Sequence, residues 1–436
     1  MLPRFCFVML VFVAFAASAS AAPPNIVFII GDDQAYGDYG FMGHPQIQTP
    51  HLDALAKQSL VFKRGYVPTS LCRASLATMI TGLYPHQHKI TSNDPPIPAG
   101  LTSNQAKKDP GYLKMREQMV NIFEQSPNLA KLLEKQGYIS QQSGKWWEGN
   151  ACRCGGFSEG MTIGDPAKGG RHGDEGLKIG RTGLEPVFKF MDQAKKDNKP
   201  FFVWYAPMMP HQPHNPPERL MKKYEGKHKS RFVAKYWAMC EWFDETIGDV
   251  LKHLEETKLA ENTIVVYLHD NGWIQDETKE GFAPRSKRSP NEGGTRTPIL
   301  IRWPGKVKPG TNDALASSID LVPTMLHAIG VKPTADMLGI NLLDEAATKK
   351  RTAVYGEIFE HNAIEITKPA ANLMYRWIID GHMKLIVPDP KRAPKDVVEL
   401  YDLSSDPNEA TNLAAKQPEQ VKKLTEKLNA WWPAKE

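Results

Sequence analysis

Uninterrupted apolar runs mark several places in the chain and predict buried β-strands. The longest lie at Asn25–Gly31 (NIVFIIG), Lys199–Ala206 (KPFFVWYA) and Asn262–His269 (NTIVVYLH). Runs that are apolar throughout and rich in β-branched and aromatic residues are typical of strands buried on both faces of a parallel sheet. Tyr138–Ser143 and Pro298–Trp303 predict further strands.

Segments with a helical spacing of apolar positions alternate with these strands. A helix start is indicated at Pro50, because proline suits the first helical position, and a helix end at Gly82. The predicted helices are Pro50–Gln58, Thr69–Thr81, Pro127–Gln136 and Arg231–Thr257. Strands that alternate with helices predict an α/β fold, with a large sheet between layers of helices.

The pattern changes after about residue 345. Short apolar strands separated by polar turns follow at Arg351–Glu357, Arg376–Ile379 and Met383–Val387, and Gln417–Trp432 is predicted to form a closing helix. This pattern predicts a smaller antiparallel sheet with one helix. We therefore expect a catalytic α/β domain over residues 22–345 and a C-terminal α+β subdomain over residues 346–436.

The first residues have the pattern of a signal peptide. Arg4 gives a positive start, Phe5–Ala16 is an apolar stretch too short to span a bilayer comfortably, and Ala19-Ser20-Ala21 fits a cleavage site. We expect cleavage after Ala21 and a secreted or periplasmic protein without a stable membrane anchor. The alternative is an N-terminal anchor that remains attached.

Composition and charge narrow the classes of partner. The chain has 436 residues, of which 41% are hydrophobic and 24% charged, as in ordinary globular proteins. Loss of the signal peptide removes Arg4 and lowers the net charge from +5 to +4. No basic stripe or nucleic-acid motif is evident, so no nucleic-acid partner is expected.

Cys152 and Cys154 have no second Cys/His pair nearby, so zinc is not expected.

Carboxylates follow two of the predicted buried strands. Asp32-Asp33 comes directly after the first strand, and Asp270-Asn271 ends another strand of the same type. Because the carboxyl ends of parallel strands share one edge of the sheet, these side chains can meet there. Together they offer the hard oxygen ligands that Ca²⁺ or Mg²⁺ prefers. For an isolated Asp-Asp pair, the alternative is a solvated turn.

Cys72 lies near the start of the predicted helix Thr69–Thr81. A helix N-terminus stabilises a thiolate and binds anions through free backbone N–H groups. The alternative is a buried structural cysteine.

Nine segments in order, spanning about residues 25 to 413, resemble the type I sulfatases of the alkaline-phosphatase superfamily. They are NIVFIIGDDQAYGDYG, CRASLATMITGLYPHQH, GYISQQSGKWW, PFFVWYAPMMPHQPH, YWAMCEWFDETIGDVL, TIVVYLHDNGW, SKRSPNEGGTRTPILIRWPG, SSIDLVPTML and ELYDLSSDPNEATNLA. The resemblance implies an alkaline-phosphatase-like fold and hydrolysis of sulfate esters, with a sulfated saccharide or other sulfate ester as substrate.

The resemblance also implies roles for individual residues. The residues that would hold Ca²⁺ are Asp32, Asp33, Asp270 and Asn271. Cys72 would be oxidised to formylglycine by a maturation enzyme; its hydrated aldehyde attacks sulfur, the alcohol leaves, and the second hydroxyl releases sulfate. Lys145 and Lys287 would bind sulfate. His211 would protonate the leaving oxygen, and His214 on the same loop could contact substrate.

Three positions depart from the family pattern. Leu76 stands where an arginine usually follows Cys-x-(Pro/Ala)-Ser, Leu83 replaces a basic residue, and Trp147 stands where histidine is common. His172 is a candidate for the role of that missing histidine. A rival register would align Arg73 with the family arginine and place Thr69 at the nucleophile position, but the distance from Cys72 to Gly82 matches the family.

These departures leave two alternatives to the sulfatase interpretation. One keeps the fold and metal site but hydrolyses phosphate or phosphonate esters, as an unmodified Cys72 would favour. The other is an inactive homologue that binds sulfated glycans.

Overall fold

The computed structural model describes residues 22–164 and 175–435. The predicted signal peptide over residues 1–21 and the candidate His172 lie outside these ranges. Within the two ranges, no helix combines the length and the apolar character that a membrane span requires.

Strands and helices alternate through most of the chain. The strands of the described residues are β1 (Asn25–Gly31), β2 (Leu60–Tyr66), β3 (Ile139–Gly144), β4 (Glu159–Gly160), β5 (Phe201–Ala206), β6 (Thr263–His269), β7 (Arg296–Arg302), β8 (Gly310–Asn312), β9 (Ala316–Ser317), β10 (Ala353–Phe359), β11 (Leu373–Asp380), β12 (Met383–Pro388) and β13 (Glu399–Asp402). The α-helices are α1 (Pro50–Lys57), α2 (Cys72–Thr81), α3 (Pro85–His88), α4 (Ser103–Ala106), α5 (Pro110–Glu124), α6 (Leu129–Glu134), α7 (Glu185–Lys196), α8 (Glu218–Tyr224), α9 (Arg231–Glu256), α10 (Glu292–Thr295), α11 (Leu321–Ala328), α12 (Glu345–Lys350) and α13 (Pro418–Trp431).

A large mixed sheet forms the centre of the fold. Its strand order is β4-β3-β5-β1-β6-β7-β2-β8, and β9 pairs with β2. β1 lies parallel to β5 and β6, whereas β7 is antiparallel to its neighbours β6 and β2. The predicted α/β fold with a large mixed sheet is therefore confirmed.

The central strand β1 shows why its sequence is apolar at nearly every position. Ile26, Phe28 and Ile30 face a core that includes side chains of α2 and α11. Val27 and Ile29 face the opposite core, which includes side chains of α7 and α9. Because successive side chains of a strand point to opposite faces, a strand covered on both sides needs no polar alternation.

One edge of this sheet collects the residues that the sequence singles out. The carboxyl ends of β1, β2, β3, β5 and β6 lie there, because β7 is antiparallel to its neighbours and the other pairings are parallel. The candidate residues just beyond these strand ends, or before the start of β7, are Asp32, Asp33, Cys72, Lys145, His211, Asp270, Asn271 and Lys287. The topology thus brings together residues that are far apart in sequence.

A second sheet follows near the C-terminus. Its order is β10-β11-β12-β13, with antiparallel pairing throughout. Leu424 and Leu428 of α13 pack on this sheet against Ile378 and Leu385. The predicted smaller antiparallel sheet and its closing helix are confirmed.

The structure differs from the sequence expectation in several elements, of which three show the physical reason. α2 begins at Cys72, three residues later than predicted, because Leu71 is still extended with φ −131° and ψ 124°. β2 was not predicted; polar residues and a register shift between Phe62 and Gly65 interrupt its apolar pattern. α5 was not predicted either, although Asp109 caps it by accepting the Tyr112 N–H at 2.8 Å.

Candidate active site

Three carboxylates and an amide meet at the carboxyl edge of β1 and β6. The Asp33 N–H donates to Asp270 Oδ1 at 3.2 Å, and Asn271 Nδ2 donates to Asp33 Oδ1 at 2.7 Å. Asp33 adopts a left-handed backbone conformation with φ 62°, which is uncommon outside glycine. Asp32, Asp33, Asp270 and Asn271 are all buried. The structure therefore brings together the four predicted metal ligands.

This oxygen-rich group suits a hard cation. Asp270 Oδ2 and Asn271 Oδ1 are buried and have no hydrogen-bond partner in the described part of the chain. Ligand atoms of Asp32, Cys72 and Asp270 lie within 4.8 Å of one another, as do those of Asp32, Asp33 and His211. Burial and the neighbouring Asp32 raise the pKa of Asp270 well above its ordinary value. A divalent cation would stabilise these carboxylates and use the two unpartnered oxygens.

Lys145 and Lys287 each hold one of the paired aspartates. Lys145 Nζ lies 2.7 Å from both oxygens of Asp32, and Lys287 Nζ lies 2.6 Å from Asp33 Oδ1. Burial alone would lower the pKa of Lys145, but Asp32, Cys72 and Asp270 together outweigh burial and the pKa is raised. For Lys287 burial also lowers the pKa, but Asp33 together with Cys72, Asp32 and Asp270 outweighs burial and the pKa is raised. Both lysines therefore stay charged in a buried place.

The backbone around Lys145 requires glycine at the preceding position. Gly144 has φ 82°, and a Cβ there would lie 2.0 Å from the carbonyl oxygen of Ala206. That close approach lets the Lys145 N–H donate to the same carbonyl at 2.6 Å. The end of β3 is thereby held against the end of β5, which places Lys145 beside the carboxylates.

Cys72 is the first residue of α2, so it lies at a helix N-terminus. It lines a cavity of ≈ 320 Å³ together with Asp33, Lys145, His211 and Lys287. Burial raises the pKa of its thiol to about 12. Thr69, the nucleophile position of the rival register, is buried, and its hydroxyl has no hydrogen-bond partner among the described residues. The geometry thus favours Cys72 over Thr69.

His211 lies beside Asp33, on the loop that follows β5. Its Nδ1–H donates to the Gln212 carbonyl at 2.6 Å, and its Nε2 lies 3.3 Å from Asp33 Oδ2. Because a carbonyl only accepts, the proton that His211 gains or loses is on Nε2. Burial lowers the pKa of His211. Arg181 donates to the carbonyls of Met208 and His211 at 2.7 and 2.8 Å and holds this loop in place.

His214 lies deeper in the same loop. Its side chain is buried, and its ring packs against Tyr236 and Trp273 at centroid distances of 5.5 and 6.2 Å. Burial lowers the pKa of His214 to about 4. Trp273 lines the cavity, so His214 supports one of its walls.

The three departures from the family pattern lie in different surroundings. Leu76 and Leu83 are buried in the core on the α2 side of the sheet. Trp147 lines the cavity. Arg73, next to Cys72, forms a buried bidentate pair with Glu148 at 2.7 and 2.6 Å. This pair ties the first turn of α2 to the segment that carries Lys145 and Trp147.

Several cavity residues were not singled out from the sequence. They are Asn93, Gln212, Trp273, Gly281, Phe282, Arg288 and His361. Arg288 adjoins Lys287 in the SKRSP segment, so its position could have indicated it. His361 comes from the segment after β10, where the sequence shows only short strands and turns. The Asn93 amide lies 3.3 Å from His361 Nε2, which links the two regions.

Comparisons with known proteins match the chain to two family models with overlapping ranges. Residues 24–331 match the sulfatase family, and residues 284–432 match the family described as N-sulphoglucosamine sulphohydrolase, C-terminal. The crystal structure of Ps i-CgsB is similar with a TM-score of 0.72 and 22% identity, over 95% of this chain and 94% of that chain. This likeness shows a shared fold and agrees with the fold expected from the resemblance.

Curated relatives point to the same family. The chain is 29% identical over 365 residues to N-acetylgalactosamine-6-sulfatase from Homo sapiens, across 75% of this chain and 66% of the human protein. It thus spans just under two thirds of that relative. It is 24% identical to N-acetylgalactosamine-6-O-sulfatase from Bacteroides thetaiotaomicron, across 93% of both chains. Since the family match covers most of the sequence, the chain belongs to the type I sulfatase family.

Proposed function

We propose that this protein is an exported, calcium-dependent sulfatase that hydrolyses sulfate esters of a carbohydrate, with residue 72 acting as formylglycine. One observation carries the proposal: Cys72, Lys145, Lys287 and His211 line one cavity. Beside it, Asp270 and Asn271 each have a buried oxygen without a hydrogen-bond partner among the described residues. The names of the human and bacterial relatives, both sulfatases of an amino sugar, support a sulfated saccharide as substrate.

The residues present suit the demands of sulfate ester cleavage. Asp32, Asp33, Asp270 and Asn271 would hold the cation, which supplies electrostatic stabilisation of the sulfate oxygens. Formylglycine at residue 72 supplies a hydrated aldehyde as nucleophile. Lys145 and Lys287 bind the charged sulfate oxygens, and their positions are fixed before substrate arrives.

His211 is the proposed general acid. Charge develops on the leaving oxygen when its bond to sulfur breaks, so a proton donor at that position lowers the barrier. The Nδ1 bond to the Gln212 carbonyl directs the exchangeable proton to Nε2, which faces the cavity side where Asp33 lies. Arg181 fixes the loop, and therefore the direction of that nitrogen.

Intact-mass analysis and sulfate release test this proposal together. The chain is produced with and without a formylglycine-generating enzyme, and sulfate release from a panel of sulfated saccharides is measured. We expect residue 72 to lose the mass that separates a thiol from an aldehyde, and activity to rise with the modified fraction. Cys72→Ala is the matched inactive control.

Other outcomes identify the alternatives. Hydrolysis of phosphate or phosphonate esters by unmodified protein, without sulfate release, would establish the related esterase. Binding of sulfated saccharides without turnover, after full modification and with Ca²⁺ present, would establish a glycan-binding homologue. Export is tested separately, by N-terminal sequencing of protein from the periplasm or medium, which we expect to begin at Ala22.

A further inference from the structure

Three cationic side chains line the cavity at residue 72, and two of them already face carboxylates. Lys145, Lys287 and Arg288 line it, and among the described lining residues Asp33 is the carboxylate that faces them. Lys145 and Lys287 are held by Asp32 and Asp33. The guanidinium of Arg288 has no hydrogen-bond or ion-pair partner among the described residues, so its five N–H donors remain available for a ligand.

The backbone of Arg288 is fixed relative to residue 72. Its N–H donates to the Ser70 carbonyl at 2.9 Å, and the Ser70 hydroxyl donates to the Ser289 carbonyl at 2.7 Å. Two hydrogen bonds therefore attach this turn to the segment that leads into α2. Arg288 cannot move away from the reacting position without breaking them.

Arg288 also adopts an unfavourable backbone conformation. Its φ is 67°, in the left-handed region that a long side chain rarely occupies. Such strain often accompanies function, because the surrounding structure must hold the residue there. The nearby Arg285 has φ 62° too, but it donates to the Glu409 carbonyl at 2.7 Å, so its guanidinium already has a partner in the fold.

Two neutral side chains, Asn93 and His361, line another side of the same cavity. His361 Nδ1 lies 2.6 Å from Asn362 Oδ1, so Nδ1 carries the proton and Nε2 accepts from the Asn93 amide. Asn93 Oδ1 in turn accepts the Arg73 N–H at 3.1 Å. Asn93 and His361 therefore make this side of the cavity polar and themselves add no negative charge to it.

We propose that Arg288 binds a second anionic group on the substrate, a carboxylate or a further sulfate next to the sulfate that is removed. The inference deepens the proposed function and rests on it, since it assigns the scissile sulfate to Lys145 and Lys287. Arg288 is then a specificity-determining residue. An arginine fork binds a carboxylate or sulfate through two parallel hydrogen bonds, which a neutral sugar hydroxyl cannot match.

Three substrates distinguish the sources of the second charge. They are a hexose monosulfate, the same hexose with a second sulfate, and a disaccharide that joins a uronate to the hexose monosulfate. We expect the fully modified protein to prefer one of the two doubly charged substrates over the monosulfate. Which one it prefers identifies the group as sulfate or carboxylate.

Arg288→Asn is the decisive variant, because asparagine tolerates the left-handed conformation but has no charge. We expect KM for the preferred doubly charged substrate to rise about tenfold or more, with kcat nearly unchanged, and kcat/KM for the monosulfate to stay within about twofold. Arg288→Lys should restore part of the preference. Arg285→Asn, the matched control, should leave the ratio between substrates unchanged.

An equal effect of Arg288→Asn on all three substrates would overturn the inference while leaving the sulfatase proposal intact. A binding measurement tests the case in which the anion subsite exists but the protein does not release sulfate. In Cys72→Ala protein with Ca²⁺, calorimetry compares the hexose monosulfate with the hexose disulfate and the uronate disaccharide. An Arg288-dependent preference without any turnover by modified protein would support the subsite and overturn the proposed function. No preference in binding or turnover would overturn the subsite.

Discussion

Two clusters of buried charged side chains can be compared in this molecule. The edge cluster consists of Asp32, Asp33, Asp270, Lys145 and Lys287, at the carboxyl edge of the large sheet. Its three carboxylates face two ammonium groups, and one oxygen of Asp270 has no hydrogen-bond partner in the described ranges. The cluster therefore has one more carboxyl group than it has ammonium groups, and it borders the cavity that Cys72 lines.

The junction cluster consists of Glu292, Glu409 and Lys384, and it joins the large sheet to the small one. Lys384 Nζ lies 2.9 Å from an oxygen of each glutamate. The Tyr66 hydroxyl donates to Glu292 at 3.1 Å, and the Glu292 N–H donates to Glu409 at 3.0 Å. Burial would lower the pKa of Lys384, but the two glutamates outweigh it and raise the pKa.

The two clusters differ in the number of cationic groups that face their carboxylates. Arginines 285 and 296 approach the junction carboxylates at 3.5 Å each, so two carboxylates meet three cations. A buried charge group compensated in this way holds two parts of the fold together. The edge cluster has too few cations for its carboxylates, and an added divalent ion would complete it. Residue types alone do not distinguish the clusters, since both combine carboxylates with lysines.

Asp270→Asn tests the edge cluster and has the largest expected effect. The amide keeps the shape and can still accept the Asp33 N–H, but it removes a cation ligand and its charge. We expect kcat/KM for a sulfate ester to fall by at least about 10³-fold, because the sulfate loses electrostatic stabilisation. The free energy of unfolding in EDTA should not fall, because the buried charge lacks a full set of partners.

Added Ca²⁺ provides the control for this variant. The parent protein should become more stable to urea as Ca²⁺ is added, and Asp270→Asn should gain much less. An active Asp270→Asn protein that Ca²⁺ still stabilises fully would contradict the metal role of the edge cluster.

Lys384→Met makes the converse test at the junction cluster. The variant leaves Glu292 and Glu409 buried without their shared cation, so the free energy of unfolding should fall by about 3 kcal/mol. Urea unfolding measures this loss. Activity per folded molecule should remain near that of the parent, because the cluster contacts the small sheet rather than the cavity.

A matched control for this change is Lys427→Met. Lys427 pairs with Asp380 but is 37% exposed, so its loss should cost less than about 1 kcal/mol. Equal destabilisation by the two variants would contradict the claim that the buried lysine of the junction cluster contributes more to stability than the partly exposed Lys427.

The sequence was most informative where a pattern repeats over many residues. β1 was predicted with its observed bounds, because a strand buried on both faces is apolar at nearly every position. β2 was missed because Lys63, Arg64 and Gly65 break its pattern, and its place in the sheet depends on pairing with distant β7. Pairing between remote segments leaves little local signal.

In the candidate site, too, the sequence predicted some features and missed others. Adjacent carboxylates after two strands, with the resemblance, were enough to place Asp32, Asp33, Asp270 and Asn271 together. The charge balance of the cluster was not predictable, because it depends on which lysine reaches which aspartate. The position of His361 was also not predictable from the sequence, since it depends on the segment after β10 lying beside Asn93. The roles assigned to the site residues, His172 and His214 included, stay predictions.

His211→Ala tests a group that lies beside the edge cluster and has no counterpart at the junction. We expect kcat to fall about 10²-fold on an alkyl sugar sulfate, where the leaving oxygen needs a proton, and less than about tenfold on an aryl sulfate. Steady-state kinetics on both substrates measure the split. Equal losses on the two substrates would mean that His211 positions substrate rather than protonating the leaving group.

His88 gives the smallest expected effect, because it is a single buried histidine that lies outside both charged clusters. Its ring lies 3.1 Å from the Thr78 hydroxyl, and its Nδ1 accepts the Ile90 N–H at 3.1 Å. Burial lowers the pKa of His88 from 6.5 to about 3. Since the unfolded chain then takes up a proton first, stability is present above pH 6.5 and is lost progressively as the pH falls towards 3.

Between about pH 7.5 and 5.5 this single group should lower the free energy of unfolding by about 1 kcal/mol. His88→Asn keeps an amide oxygen near the position of Nδ1 but has no group that titrates in this range. The variant should therefore lose about 1 kcal/mol less than the parent over the same pH change, as measured by urea unfolding in EDTA. Asp244→Asn, at a buried carboxyl group whose pKa burial raises to about 7, should not remove this loss on acidification, because protonation of Asp244 favours the folded state. If parent and His88→Asn respond identically to pH, burial does not hold the pKa of His88 below its value in the unfolded chain.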